Sequence, residues 1–544
     1  MNEVDRAEPL LVVLDAQCLK HEAPGGGNRL DCGTERLPDG VAAAICAISG
    51  AGVSFCFWPY RTGFLAFLVL VPFIITSGII DGRGRYIVNS FVFGTAYFFG
   101  SLYWIAMLGR EQIAVPWLRL PAAIVLSLYL AVFMILTGWL ARRLITLRIP
   151  FEIALAAVWA SMEYLRSQGP LGFPWGSLGY SQTPYASILQ TASIVGTYGM
   201  SALVVLVNGM LARTLLSRRW SYLLLIAVVL AVPVGAGQLV LSRSEPGRSV
   251  EVSLIQPNIS GEVKWDEAYS DTTMAVLRRM TLATPDSTLI IWPETAVPFH
   301  ILHSPGEIYA IAALADIKGS YILLGCPNYT YDEGRTSYYN TAVLISPEGT
   351  VEGEYRKIHL VPFGEMIPFE DRFDFLKRID LGEGDFSPGT DLTIFNVDAS
   401  PFAVAICFES IYPGLVGDFV RAGARFIVNI TNDEWFGPSL GPSQHAQMAV
   451  MRAVEYRVGL ARCANTGISM LVDPYGRVER RTDLFVRDIL TGEVAVGDGE
   501  TVYGKIGGRL ELSLLLICVA LGLLSYLLPG GRTKGFDTPS RPVL

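Results

Sequence analysis

At 544 residues the chain exceeds an ordinary single domain, and with 51% apolar and only 17% charged residues it is too apolar to be wholly soluble. A formal net charge of −8 argues against a nucleic-acid binder, whose footprint is a basic patch or stripe. The eight cysteines are scattered, with no CxxC or Cys/His ligand spacing, so neither a zinc site nor a disulfide framework is expected.

Residues 1–40 carry mixed charges and the segment APGGGNRLDCG, and read as a flexible cytosolic leader or an overextended gene start. The apolar run Leu10 to Leu14 is too short for a signal peptide and has acidic neighbours. From 41 to 241, apolar runs near 41–57, 63–80, 88–108, 121–140, 151–165, 187–212 and 221–241 predict a transmembrane bundle of about seven helices. The fifth is short and contains Glu163. A further run at 510–529 predicts a C-terminal transmembrane helix, followed by a cytosolic tail at 530–544.

Charge asymmetry orients these spans. With the N terminus inside, cytosolic loops collect Arg83, Arg85, Arg142, Arg143, Arg148, Arg213, Arg218 and Arg219, against Arg61, Arg110, Arg119 and Arg166 in the opposite loops. Seven spans is an odd number, so the long polar segment before the last span is expected outside the cytosol. The loop QGPLGFPWGSLGYSQTPY at 168–185 falls on that side. Its aromatic residues suit either an interfacial anchor or a substrate-facing surface.

Residues 250–500 change character. Short β-type runs such as VEVSLIQ, STLIIWPE, YILLGCPN, FAVAICFES and ARFIVNITN alternate with turn signals and helical patterns, which predicts a layered α/β domain. Three chemically useful side chains stand at the ends of strand-like runs: Glu294 in LIIWPETAVP, Lys357 in EYRKIHLVPFGEMIP and Cys407 in PFAVAICFESIYP. Singly, these read as a helix-entering carboxylate, a solvated lysine and a core cysteine. Together they form an acyl-transfer set, with a thiol nucleophile, a carboxylate base, a cation for the oxyanion, and the Phe408 N–H as a second donor. Histidines offer a rival Cys-His pairing, with His359 or His445 as base, but that leaves the WPE glutamate and the spans unexplained.

WPE, the lysine of RKxHLVPFGE, and CFES with NDxWFG downstream resemble the Glu-Lys-Cys signature of the nitrilase, or carbon-nitrogen hydrolase, superfamily. With the preceding spans, the GFPWxxxGYSQ loop, KWDE at 264–267 and one span afterwards, the chain is similar over about residues 41–530 to the apolipoprotein N-acyltransferase family. The resemblance implies a four-layered αββα domain on the periplasmic side of a bacterial inner membrane. It implies a phospholipid acyl donor, a diacylglyceryl-modified apolipoprotein acceptor, contact with membrane lipids, and neither cofactor nor metal. It makes Glu294 the general base, Lys357 its electrostatic partner and Cys407 the nucleophile. Glu365 and Glu409 match supporting acidic positions, and Trp265, Asn340 and Trp435 match positions near the substrate cavity. Phe408 stands where tyrosine often follows the nucleophile, which preserves the backbone donor but removes a phenolic hydroxyl. Alternatives are a membrane-tethered carbon-nitrogen hydrolase acting on a small substrate, and a non-catalytic membrane scaffold; the bundle and the GFPW loop favour transfer.

Overall fold

The computed structural model describes residues 37–527 apart from 58, 81–83, 109–115, 245–246, 262–269, 333, 371 and 374–385. Its first half is helical: α1 (Asp39–Val53), α2 (Gly63–Thr76), α3 (Tyr86–Leu102), α4 (Arg119–Thr146), α5 (Phe151–Leu165), α6 (Ala192–Ser217) and α7 (Tyr222–Ser242). A last helix, α12 (Val502–Leu527), returns to pack on α4, α5 and α6. Among the described residues six helices are long and apolar enough to cross a membrane, and the chain is a membrane protein. The runs at 63–80 and 151–165 form shorter helices. Pro72 lies inside the first run, where no N–H is available to continue the ladder, and a Gly/Pro-rich loop ends the second.

Two six-stranded sheets form the second half. The first has the order β12-β1-β2-β3-β4-β5 and the second β11-β10-β9-β8-β7-β6. The strands are β1 (Ser249–Gln256), β2 (Leu289–Ile291), β3 (Tyr321–Asp332), β4 (Arg335–Ile345), β5 (Val351–Arg356), β6 (Phe395–Val397), β7 (Ser400–Ile406), β8 (Phe426–Thr431), β9 (Gly459–Ala464), β10 (Met470–Val472), β11 (Val478–Arg481) and β12 (Asp488–Ala495). Side-chain alternation lets each sheet serve two apolar layers. Ile290, Ile322 and Leu324 face the helices α8 (Ser270–Leu282) and α9 (Pro305–Lys318). Leu289, Ile291 and Leu323 face the second sheet. On that sheet's far side lie α10 (Pro413–Arg421) and α11 (Gly441–Tyr456), completing the expected αββα sandwich.

Strand direction gathers the chemistry at one rim. β1, β2 and β3 are parallel, and β5 is antiparallel to β4, which is antiparallel to β3, so β5 runs with β2. The residues that follow β2 and β5 therefore leave the same edge of the sheet. β7, β8 and β9 are likewise parallel in the partner sheet.

The helical and α/β parts share a buried ionic junction. Within α6, Gly196 has φ 65° and ψ −174°, a backbone state closed to residues with a side chain, and a Cβ there would lie 2.2 Å from the Tyr503 ring. The helix restarts at Thr197, whose N–H and hydroxyl both donate to Glu455 of α11, at 2.7 and 2.8 Å. Arg452, one turn earlier, pairs with Glu455 at 3.0 Å and donates to Thr197 at 2.6 Å, all within the interior. Removing one partner of such a pair strands the other charge away from water, a loss of about 3–5 kcal/mol. Glu455→Ala is therefore expected to lower the unfolding midpoint of the detergent-solubilised protein by an amount matching that range; a loss below about 1 kcal/mol would show that the pair does not join the two parts.

Candidate active site

Glu294 leaves β2 through a Trp292-Pro293 corner, anchored where the Trp292 indole donates to Thr281 at 3.0 Å. The corner lies so close to β3 that a Cβ on Gly325 would sit 2.6 Å from both the Pro293 carbonyl and the Thr295 nitrogen, so only glycine fits there. One Glu294 oxygen accepts the Asn432 N–H at 2.8 Å. The other accepts the Asn340 amide at 2.8 Å and the Lys357 ammonium at 3.3 Å.

Lys357 follows β5 and is 1% exposed. Its ammonium also meets Glu365 at 2.8 Å, and Asn340 donates to the same Glu365 oxygen at 3.1 Å. The second Glu365 oxygen accepts the Val361 N–H at 2.9 Å, which closes the loop after the lysine. Burial works against the ammonium, but Glu365 and Glu294 outweigh it and hold Lys357 charged, well above the ordinary lysine range.

Cys407 follows β7 at φ 52° and opens a tight 3-10 turn, Cys407–Ile411, ahead of α10. A left-handed backbone is uncommon for a residue with a side chain and marks a sharp elbow, which the expected strand-to-helix turn supplies. Burial and the Glu294 carboxylate push the pKa of the Cys407 thiol up, and Lys357 pulls the other way, so the resting group is the thiol rather than the thiolate.

Glu409 lies inside the same turn, fully buried. One of its oxygens accepts the Tyr355 hydroxyl at 2.8 Å and the Ile358 and His359 N–H groups at 2.7 and 3.0 Å. The other accepts the Ile406 N–H at 2.7 Å. This carboxylate therefore clamps the lysine segment to the cysteine elbow. Burial pushes it up to about 7 against the pull of those N–H groups.

The remaining expected residues divide. Asn340 joins Glu294 to Glu365, and Trp435 lies half-buried beside Gly364 in the loop after the lysine. Trp265 lies outside the described residues. Phe408 packs against Phe173, Trp175 and Tyr412, with ring centroids 6.0, 6.5 and 5.5 Å away. The 168–185 loop thus reaches the residue that follows Cys407. Arg166 shapes it by donating to the carbonyls of Phe173 and Trp175 and to Ser177, and the Trp175 indole donates to Gln444 of α11 at 2.8 Å. Neither histidine forms the rival pair. His359 lies against Tyr412 with ring centroids 4.6 Å apart, and His445 Nε2 lies 3.1 Å from the Cys407 carbonyl oxygen.

Comparison with known proteins gives this geometry a family. The profile for the apolipoprotein N-acyltransferase N-terminal domain matches residues 49–210, and that for carbon-nitrogen hydrolase matches 251–502. The apolipoprotein N-acyltransferase of Geobacter metallireducens is 36% identical over 489 residues, covering 87% of this chain and 94% of its own. This chain belongs to the apolipoprotein N-acyltransferase family. The Bradyrhizobium diazoefficiens protein of that name is 34% identical over 490 residues, covering 84% of this chain and 90% of the relative. Among solved structures, Saccharomyces cerevisiae Nit3, a member of branch 10 of the nitrilase superfamily, matches 49% of this chain and 96% of its own at 20% identity and a TM-score of 0.35.

Behind the elbow, this member of the apolipoprotein N-acyltransferase family carries a network not visible by motif reading. Asp433, His445 and Arg462 are all fully buried. Asp433 accepts from Arg462 at 2.7 Å and meets His445 Nδ1 at 2.9 Å. Burial alone would raise its pKa, but these neighbours hold it well below the usual carboxylate range. One signal was present in the sequence: Arg462 interrupts the apolar strand GLARCA, and a buried charge requires a partner.

Glu409 generates a pH prediction. A glutamate near 4.3 when unfolded and about 7 when folded binds more protons in the native state between those values, so its contribution to stability falls as pH rises through that window and levels off above it. Glu409→Gln is expected to be less stable overall yet to lack this slope in unfolding midpoints measured from pH 4 to 8; an unchanged slope assigns the titration to another group.

Proposed function

We propose that the chain transfers a fatty acyl group from a phospholipid to the α-amine of an N-terminal diacylglyceryl-cysteine, through a thioester on Cys407. The observation that carries this reading is the buried pair of Glu294 and Lys357, bonded to each other at 3.3 Å and tied to the Cys407 turn by Glu409, which accepts the Ile358 N–H at 2.7 Å. Because the thiol rests protonated, attack needs a base at the same moment. Glu294 takes the Sγ proton as sulfur bonds to the ester carbonyl carbon, and the oxyanion is held by Lys357 and the Phe408 N–H. Collapse breaks the ester C–O bond. The leaving alkoxide takes the proton from Glu294 and departs as lysophospholipid.

In the second half the lipoprotein amine attacks the thioester carbonyl and gives a proton to Glu294. Collapse expels the Cys407 sulfur, which recovers that proton, and the product is the N-acylated terminus. Glu365 and Asn340 hold the lysine and base in register, and Glu409 holds the lysine segment on the elbow. Both substrates are lipid-anchored, so a helical bundle that keeps them at one depth converts two-body encounters into local ones and shields the thioester from water. The arginine asymmetry of the loops supports placement of the α/β domain on the periplasmic side of the inner membrane.

Protein incubated with phospholipid is expected to gain the mass of one acyl chain on Cys407. Cys407→Ser should gain none and lose turnover, and persistence of both activity and adduct in that variant would remove Cys407 from the reaction. Glu294→Gln should suppress lysophospholipid release by about 10²–10⁴-fold, the usual share of a general base. An undiminished first turnover would sink that role. Placement is checked by membrane-impermeant labelling of a cysteine introduced at exposed Tyr309 in intact and permeabilised spheroplasts; labelling only after permeabilisation reverses the orientation.

A further inference from the structure

The Cys407 carbonyl oxygen is gripped by three side chains. His445 Nε2 lies at 3.1 Å, the Ser410 hydroxyl at 3.0 Å and the Asn429 amide at 3.3 Å. A carbonyl oxygen only accepts, so Nε2 carries a hydrogen and donates, which leaves it no lone pair for the thiol. The imidazole is fixed from its other side, where Nδ1 lies 2.9 Å from Asp433 and 3.1 Å from Arg462. Arg462 in turn is anchored to Asp433, to the Asn429 oxygen and to the Ile468 carbonyl at 3.2 Å. Thr431 also donates to Asp433 at 3.1 Å, which ties the end of β8 into the same network.

The peptide between Cys407 and Phe408 is planar, and in the trans form its C=O and N–H point in opposite directions. Whatever orients the carbonyl therefore orients the N–H. An elbow at φ 52° is not a backbone minimum for cysteine and needs external contacts to hold it. We propose that His445, braced by Asp433 and Arg462, is a positioning residue that aims the Phe408 N–H at the reacting carbonyl oxygen by gripping the opposite end of the same peptide plane. This rests on the acyl-enzyme reading, because the N–H matters only if an oxyanion forms beside Cys407. It also accounts for three fully buried charged or ionisable groups placed behind the nucleophile rather than in front of it.

The test is single-turnover acylation of the full-length protein by phospholipid, with the Cys407 adduct read by mass spectrometry. His445→Ala is expected to lower kcat for acylation by about 10²-fold, the order of one lost oxyanion donor, with KM for phospholipid unchanged. The pH profile of Cys407 alkylation by iodoacetamide should stay where it is, because base and cation are untouched. His445→Gln, which keeps a donor, should recover much of the loss. Acylation at the wild-type rate in His445→Ala, a shifted alkylation profile, or a glutamine variant as slow as alanine would each overturn the proposal. If the alanine variant does not fold, Ser410→Ala decides: it removes another donor from the same carbonyl, and an unchanged kcat overturns the idea where a selective kcat loss supports it. Wild-type protein that forms no Cys407 adduct would overturn the acyl-enzyme reading itself and this inference with it.

Discussion

A lysine ammonium almost wholly removed from water must keep its charge through neighbours, and most of the site's architecture follows from that requirement. An isolated buried ion costs several kcal/mol of lost hydration, so Lys357 is tenable only between Glu294 and Glu365. Two carboxylates around one ammonium leave an excess negative charge. A thiolate added beside them is opposed, which keeps Cys407 protonated, and the proposed attack therefore needs a base at the same moment. A Cys-His pair that stores its thiolate works the opposite way. In the proposed mechanism the cation waits for the oxyanion, and the thiol gives up its proton only as the new bond forms.

Holding that cluster requires contributions from both sheets. Glu294 and Lys357 leave the first sheet at a common edge, while Cys407 and Asn432 leave the second. Neither sheet alone has a site. Glu409 crosses between them, bonding the segment after β5 from within the cysteine turn, and Asn432 crosses back to Glu294. Closure of the sandwich and assembly of the site are thus one event. The junction of Arg452, Glu455 and Thr197 extends the same logic to the bundle: α11 supplies His445 to the elbow and, three turns on, Glu455 to the break in α6. A rigid helix thereby links the Cys407 turn to the membrane part.

The sequence was most legible where a residue type coincided with a strand end. Glu294 and Cys407 each follow an apolar run and Lys357 follows the more polar strand β5, and strand ends at one rim of a sandwich are where such residues meet. Glu365 and Glu409 were legible only through resemblance, because their value lies in N–H groups donated from other segments. Asp433, His445 and Arg462 were harder still. They lie on a turn, a helix and a strand, and nothing in their spacing says that they touch. In the bundle, hydrophobicity located the apolar runs well, and the run at 151–165 is the helix Phe151–Leu165, but the run at 63–80, which contains Pro72, is helical only to Thr76. Hydropathy measures what lipid tolerates, whereas helix length depends on where the backbone ladder breaks.

Phe408 shows how these levels meet at one residue. Its N–H is tied to the carbonyl that His445 grips, while its ring is held by Phe173 and Trp175 from the bundle's own loop and by Tyr412 from the turn. In this almost fully buried apolar setting a phenol would need a hydrogen-bond partner for its hydroxyl, whereas phenylalanine satisfies the site by packing alone. The ring and the peptide of one residue therefore receive different constraints: the loop fixes where the side chain lies, and the buried network fixes where its N–H points. A loop displaced by even a fraction of a ring width would pull on the same peptide plane. Placement of the bundle against the α/β domain is then part of the geometry of the donor proposed for the oxyanion, and in that mechanism the helices contribute to the chemistry as well as to anchorage.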